Sequence, residues 1–222
     1  MCGRFTLAIS PEQLVASFPW LEVPEMPPAR YNIAPSQPVG VIPNDGKGRL
    51  DYFVWGLVPS WAKDPKIGNR MINARAETLA EKPSFRNAFK YRRCLILADG
   101  FYEWRKIPGN KTKIPTYIHL KDGKPFAFAG LWEEWNSPDG SQILSTTIIT
   151  TEPNELVKPV HNRMPVILEE SAYNKWLKPG ESNTQELINL LRPYEASQME
   201  AYPVSQMVNN PRNDHPNCIQ PL

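Results

Sequence analysis

The sequence predicts an α+β fold: a mainly antiparallel sheet curled into a barrel-like core, with several short peripheral helices. Two observations carry that expectation. Four strand-like runs, 93–106, 114–120, 125–135 and 142–150, follow one another in the middle of the chain. Between them lie Pro108-Gly109-Asn110, Lys121-Asp122-Gly123-Lys124 and Ser137-Pro138-Asp139-Gly140, turn chemistry that favours antiparallel neighbours. The second observation is that 24 of the 222 residues are proline, spread along the chain, about twice the usual share. Proline fixes φ and interrupts ladders, so it punctuates many short strands and rigid loops.

The remaining elements follow in order. Ser10-Pro11-Glu12-Gln13 opens a short helix, with Ser10 as N-cap, Pro11 at the first position and Gln13 closing a capping box; it ends near Phe18-Pro19. A proline-rich crossing, 24–38, leads to a strand from Val39 to Pro43. Asn44-Asp45-Gly46-Lys47-Gly48 then turns the chain into a partner strand, Leu50–Trp55. Residues 56–76 lack periodicity, and so long a loop in a compact domain marks function. A helix capped by Ser84 is expected over 84–92. After the four central runs come one or two helical turns at 153–160, a strand at 164–168, helices at 171–177 and 184–191, and a last strand near 201–205. The whole of 1–222 is expected to form one domain.

Composition excludes several functions. A net charge of +2 is too mild for a polycation, so contact with nucleic acid must come from a local patch. No apolar run approaches the roughly 18 residues that span a membrane, and the amino-terminal residues lack the apolar stretch of a secretion signal. Three cysteines without CxxC spacing and three histidines argue against disulfides or a metal site. The expectation is a monomer without cofactor in the reducing cytoplasm, associated with the nucleoid when bound to DNA.

Cys2 is the sharpest chemical signal. An initiator methionine is normally removed before a small second residue, which would make Cys2 the mature terminus. It would then offer a thiol, with a reference pKa near 8.5, and an α-amine at about 7.7–8.0, both reactive near neutrality. With an aldehyde, the amine forms an imine and the thiol closes a five-membered thiazolidine, far more durable than a lysine imine. The bland alternative is a small residue at a frayed end. Arg4 supplies a cation next door, to lower the thiol pKa or hold a phosphate.

An ordered set of motifs makes a resemblance specific. Met1-Cys2-Gly3-Arg4-Phe5, Arg30-Tyr31-Asn32-Ile33-Ala34-Pro35, Trp55-Gly56-Leu57-Val58-Pro59-Ser60-Trp61, Ile72-Asn73-Ala74-Arg75-Ala76-Glu77-Thr78, Ala98-Asp99-Gly100-Phe101-Tyr102-Glu103-Trp104 and His161-Asn162-Arg163-Met164-Pro165 run in sequence. Together they resemble the SOS response-associated peptidase (SRAP) family of abasic-site crosslinkers, over residues 2 to about 168. The resemblance implies Cys2 as nucleophile, supported by Asn73, Glu103 and His161. It also implies Arg4, Arg75 and Arg163 on DNA phosphates, Trp61 and Pro35 at the bases, and single-stranded DNA with abasic sites as the partner.

The residue types suit those roles. Glu103 sits between Tyr102 and Trp104 in a strand, where desolvation would raise its pKa toward that of a useful general acid. His161 follows an expected helix end, whose dipole would favour its charged form; the alternative has it bonding sugar oxygens. Asn73, in the long loop, offers a donor and an acceptor that do not titrate. Trp61 sits where a core residue is out of place and where a base can stack. Trp20, Trp104, Trp132, Trp135 and Trp176 read as core or partial core, and His119 as structural.

Two other readings stay open. An N-terminal-nucleophile amidohydrolase or peptidase explains Cys2 but leaves the basic residues and Trp61 unused, and no oxyanion hole is evident. A passive single-strand DNA binder treats the cysteine as incidental.

Overall fold

Among the described residues, 2–109 and 112–222 of a computed structural model, the chain is organised by two sheets that share one corner. The strands are β1 (Phe5–Leu7), β2 (Arg30–Ile33), β3 (Pro38–Pro43), β4 (Asp51–Trp55), β5 (Asn73–Arg75), β6 (Arg93–Ala98), β7 (Gly100–Arg105), β8 (Ile114–Leu120), β9 (Phe126–Asn136), β10 (Gln142–Thr151), β11 (Met164–Pro165), β12 (Ile167–Leu168) and β13 (Met199–Pro203). The helices are short: α1 (Pro11–Ser17), α2 (Arg86–Tyr91), α3 (Tyr173–Trp176) and α4 (Thr184–Ile188). One sheet runs β13-β8-β7-β1-β2 and is antiparallel throughout. In the other, β4 pairs β3, β3 pairs β6, β6 pairs β9, β9 pairs β10, and β10 returns to β4. That ring closes a five-stranded barrel, with β5 and β11 added along β10 and β12 along β9.

The expected α+β class with a barrel-like antiparallel core is therefore what the chain adopts. Closure brings in two parallel contacts, of β10 with β4 and with β5. One apolar cluster fills the interior, and within it Phe5 of β1 packs edge-on against Trp55 of β4 and Phe128 of β9. The first sheet thus packs on the barrel through its interior strand β1.

The run 93–106 proves to be two strands in different sheets, broken at Asp99. Asp99 is the corner. Its carboxyl accepts from the Thr6 hydroxyl and from Ala8 N at 2.8 Å, and its own N–H donates to Thr6 O at 3.0 Å. Gly100 follows because nothing larger fits: a β-carbon there would lie 2.2 Å from Tyr117 Oη. The split means 114–120 and 125–135 are not neighbours; the turn between them crosses from one sheet to the other.

Local signals fared well where they were local. The Ser10–Gln13 capping box is present in both directions, at 3.2 and 2.9 Å. By contrast, α2 starts at Arg86 after Phe85, with no side-chain cap from Ser84. The N-cap of α4 is Asn183, one residue past Ser182. Residues 155–160 are turns, and the one or two helical turns expected there are present as Lys158 N–H on Asn154 O and His161 N–H on Val157 O, both 2.9 Å. Trp20 is 42% exposed, not core, whereas Trp135 and Trp176 are buried.

The corner generates a prediction. Gly100→Ala should destabilise by about 1–3 kcal/mol, the usual range for forced overpacking. It would appear as a lower urea midpoint at unchanged slope, and an unchanged midpoint would mean that the Tyr117 ring yields freely.

Candidate functional site

β1 brings the amino-terminal residues between β2 and β7, so Cys2 is fully buried rather than frayed. Phe5 lies opposite Phe101, and Tyr102 N–H donates to Arg4 O at 3.0 Å. Carrying that register back places Gly3 opposite Glu103, which puts Glu103 beside the Cys2 backbone.

Glu103 is 2% exposed, and burial pushes its carboxyl up from 4.5 to about 7. His161 Nε2 lies 4.0 Å from Glu103 Oε2. Its ring is oriented by Nδ1, which accepts from Arg163 N–H at 3.1 Å. Burial lowers the His161 pKa, so the neutral ring is favoured, and the helical turns before it do not hold its charge. The Cys2 thiol is pushed far up, first by burial and then by the negative charge of Glu103. That corrects the expectation of a thiol reactive near neutrality: desolvation outweighs any help from Arg4. Three different groups are all driven toward their neutral forms.

The end of β10 gathers the rest. Asn73 is on β5, not in a loop, and pairs in parallel with Ile148; Arg75 pairs with Thr150. Asn73 Nδ2 donates to Ile72 O at 2.8 Å, and its buried Oδ1 has no hydrogen-bond partner among the described residues. Arg163 enters from the other side, with Nη2 donating to Thr150 O at 2.6 Å. Its guanidinium also forms a fork with Glu77, at 2.6 and 2.9 Å, so Glu77 already occupies part of this candidate phosphate group. Arg75 is exposed.

Arg4 Nη1 donates to Asn32 Oδ1 and Val208 O, both at 2.7 Å, and the guanidinium lies 5.9 Å from the Trp104 ring centre. Trp61 is 58% exposed and separates two grooves. One of about 500 Å³ carries Lys63, Lys66 and Arg70, and one of about 890 Å³ carries Arg86 and Tyr91. Pro35 is half-buried beside Ser36, whose φ of 69° turns the chain sharply there. No hydrogen bond or ring contact among the described residues ties Trp61 or Pro35 to the Glu103–His161 pair. Nor does any group of His, Cys, Asp and Glu among them suit a metal ion. No helix among them is long and apolar enough to cross a membrane. Reading the sequence missed Asn32, Glu77 and Asp99. Each lies inside a quoted motif, but their partners are distant in sequence.

Glu103 makes stability depend on pH. In the unfolded chain it titrates near 4.5, in the folded chain at about 7. Below 4.5 both states are protonated; as pH rises through 7 the folded state must ionise a desolvated carboxyl, and stability is lost. Replacing Glu103 by Gln removes that loss. Between pH 4 and pH 8 the variant should gain up to about 3 kcal/mol on the parent, measured by urea unfolding. Parallel pH profiles would show that the carboxyl titrates normally.

With this geometry in hand, the relatives are informative. The SOS response associated peptidase (SRAP) model matches residues 1–211. The abasic site processing protein YoqW of Bacillus subtilis is 51% identical, over 99% of each chain. The abasic site processing protein HMCES of Rattus norvegicus is 37% identical over 75% of this chain, which spans about half (55%) of that longer protein. A crystal structure of a protein from Bacteroides thetaiotaomicron superposes with a TM-score of 0.88, covering all of both chains at 28% identity. By its family model and its relatives alike, the chain belongs to the SRAP family.

Proposed function

We propose that this protein senses abasic sites in single-stranded DNA and captures them covalently through Cys2, shielding the lesion during the DNA damage response. The observation that carries the reading is Glu103: a carboxyl held at about 7 by burial, 4.0 Å from His161 and close enough to Cys2 to raise its thiol. An acid–base group needs a pKa near working pH. The names of the relatives, abasic site processing proteins, point to the same substrate.

The chemistry balances without an oxidant. Removal of Met1 frees the Cys2 amine. Glu103 protonates the ring oxygen of the closed sugar, and the carboxylate so formed takes the proton of the anomeric hydroxyl as the C–O bond breaks and the aldehyde forms. The amine adds to that carbon and water leaves, giving an imine. The thiol adds to the imine carbon, its proton passes to the nitrogen, and a thiazolidine closes. Because burial holds the thiol protonated, the amine acts first and the thiol second. Asn73 Oδ1 accepts from the amine, and His161 orients the sugar oxygen. Arg4, Arg75 and Arg163 hold phosphates, while Trp61 and Pro35 meet bases. The chain acts as a single domain and a monomer in the cytoplasm, gathering on the nucleoid with its DNA, and needs no cofactor or metal.

Intact mass before and after incubation with an abasic oligonucleotide tests the core of this. Active protein should lack Met1 and gain the oligonucleotide mass less one water, in an adduct stable to heat and denaturant. Retained Met1 in crosslinking protein would rule out the amine. An N-terminal amidohydrolase would instead turn over an amide substrate and keep its own mass. Glu103→Gln should slow single-turnover crosslinking about 10²-fold, within the range of general acid–base catalysis; a wild-type rate across pH would remove Glu103 from the mechanism.

Salt dependence tests the phosphate contacts. Three contacts on a single strand give a log–log slope of roughly −2, at about −0.7 each. A slope nearer −1.4 would mean that Arg163 stays on Glu77. Trp61→Ala should weaken binding to all sequences alike, because stacking is sequence-tolerant.

A further inference from the structure

Asn32 is fully buried in β2, next to β1, and its amide faces two ways. Oδ1 accepts from Arg4 Nη1 at 2.7 Å. Nδ2 faces three carbonyls of the carboxy-terminal stretch: Val208 at 3.2 Å, Asn210 at 3.1 Å and Asn213 at 2.6 Å. Val208 O is also the second acceptor of Arg4 Nη1, at 2.7 Å. Asn32, Val208 and Arg4 therefore close a triangle of hydrogen bonds between residues 4, 32 and 208. A second pin holds the same stretch: Asp214 accepts from Asn32 N–H at 3.0 Å and pairs with the Arg30 guanidinium.

Only an amide satisfies both sides. A carboxylate would suit Arg4 but would face three carbonyl oxygens without a proton to offer; alanine would leave buried acceptors unpaired. Arg4 Nε donates to Gly3 O at 3.3 Å, so Nε and Nη1 are spent on protein acceptors. Nη2 is left without a protein partner among the described residues.

We infer that Asn32 is a positioning residue for Arg4, locking the guanidinium between β2 and the 204–214 strap so that Nη2 faces a DNA phosphate beside Cys2. The strap thereby becomes part of the DNA site without touching DNA. The inference rests on the proposed role of Arg4 as a phosphate contact. It goes further by assigning that contact's geometry to a residue and a segment with no chemical part of their own. A merely structural Asn32 would make a different prediction, because its loss would add to the loss of Arg4.

The experiment is a double-mutant cycle on the full chain with an abasic oligonucleotide. Single-turnover crosslinking is measured against DNA concentration for the parent, Arg4→Ala, Asn32→Ala and the double variant, with melting temperatures alongside. Asn32→Ala should raise the half-saturating DNA concentration about tenfold, the size of one charge-assisted hydrogen bond, rather than lower the maximal rate. Its salt slope should shrink by about 0.7, as for Arg4→Ala, and the double variant should be no weaker than Arg4→Ala alone. Additive losses, an unchanged half-saturation, or a loss confined to the maximal rate would overturn the inference. If Asn32→Ala does not fold, Asp214→Asn loosens the strap from β2, and the same coupling to Arg4 is expected or the inference fails. If the parent binds abasic DNA but never crosslinks it, the covalent reading falls. The Arg4–Asn32 coupling is then read from binding by fluorescence anisotropy.

Discussion

The carboxyl of Asp99 accepts from Thr6 and Ala8, and the position of β1 depends on those two bonds. Three residues long, β1 has too few ladder bonds of its own to hold a chain end inside a protein. Asp99 supplies what the ladder lacks, at the point where the chain leaves the barrel and enters the second sheet. Burial raises its pKa against the lowering effect of those donors, a sign of how dry the corner is. With β1 pinned, the register carries Gly3 to Glu103, and the amino-terminal residues lie in the middle of a sheet. A site built on an amino terminus is precise only if the terminus is treated as a strand, and here the corner does that.

The same burial sets the electrostatics. Glu103, His161 and the Cys2 thiol are each shifted toward neutrality, and in each the largest cause is loss of water. A site made of pre-formed charges would favour phosphate and ground-state binding. One made of neutral groups close together favours moving protons between them at little cost, since no ion must first be desolvated. Arg4, Arg75 and Arg163 are each fixed by backbone pairing or by carbonyl and carboxylate acceptors, while Lys106 and Lys113 help to lower the His161 pKa.

Legibility in the sequence tracks the range of the cause. The Ser10 capping box and the turn at 44–48 could be read because every participant lies within five residues. The class could be read because the β7–β8 and β9–β10 hairpins keep clean turn chemistry. The break at Asp99 could not, since the residues on both sides are apolar and only Tyr117, in another strand, explains Gly100. β1, β2 and β5 are three or four residues long, too short for periodicity, and they hid in stretches that read as termini and loops. In the site, the raised pKa of Glu103 was legible from its aromatic neighbours. The buried, protonated state of the Cys2 thiol was not, because nothing in the first residues indicates that they lead into an interior strand. Asn32 was invisible for the same reason: Arg4 lies 28 residues before it, and its carbonyl partners begin 176 residues later.

Arg93 shows how this fold satisfies a buried cation. Arg93 is fully buried with no carboxylate partner, yet every arm is met: Trp176 O, Phe89 O, Lys90 O, Lys178 O and Ser182 Oγ all accept from it. Four of those acceptors lie at or just past the carboxy-terminal ends of α2 and α3, where a helix favours a cation. Burial lowers this arginine to about 10, so it stays charged at neutral pH and ties the two helices to β6. By contrast, Asn73 Oδ1 and Arg163 Nε are buried without a hydrogen bond among the described residues, as are Arg92 Nε, His119 Nε2 and Thr147 Oγ1 outside the candidate site. Leaving a buried polar atom unmet costs roughly 1–3 kcal/mol, a cost the fold avoids at Arg93 with five bonds. The first two atoms flank one end of β10, where Asn73 pairs with Ile148 and Arg163 donates to Thr150 O. In the proposed reading, a sugar hydroxyl or a phosphate oxygen entering there would recover that free energy, and the site would gain affinity from bonds that the folded protein by itself does not make.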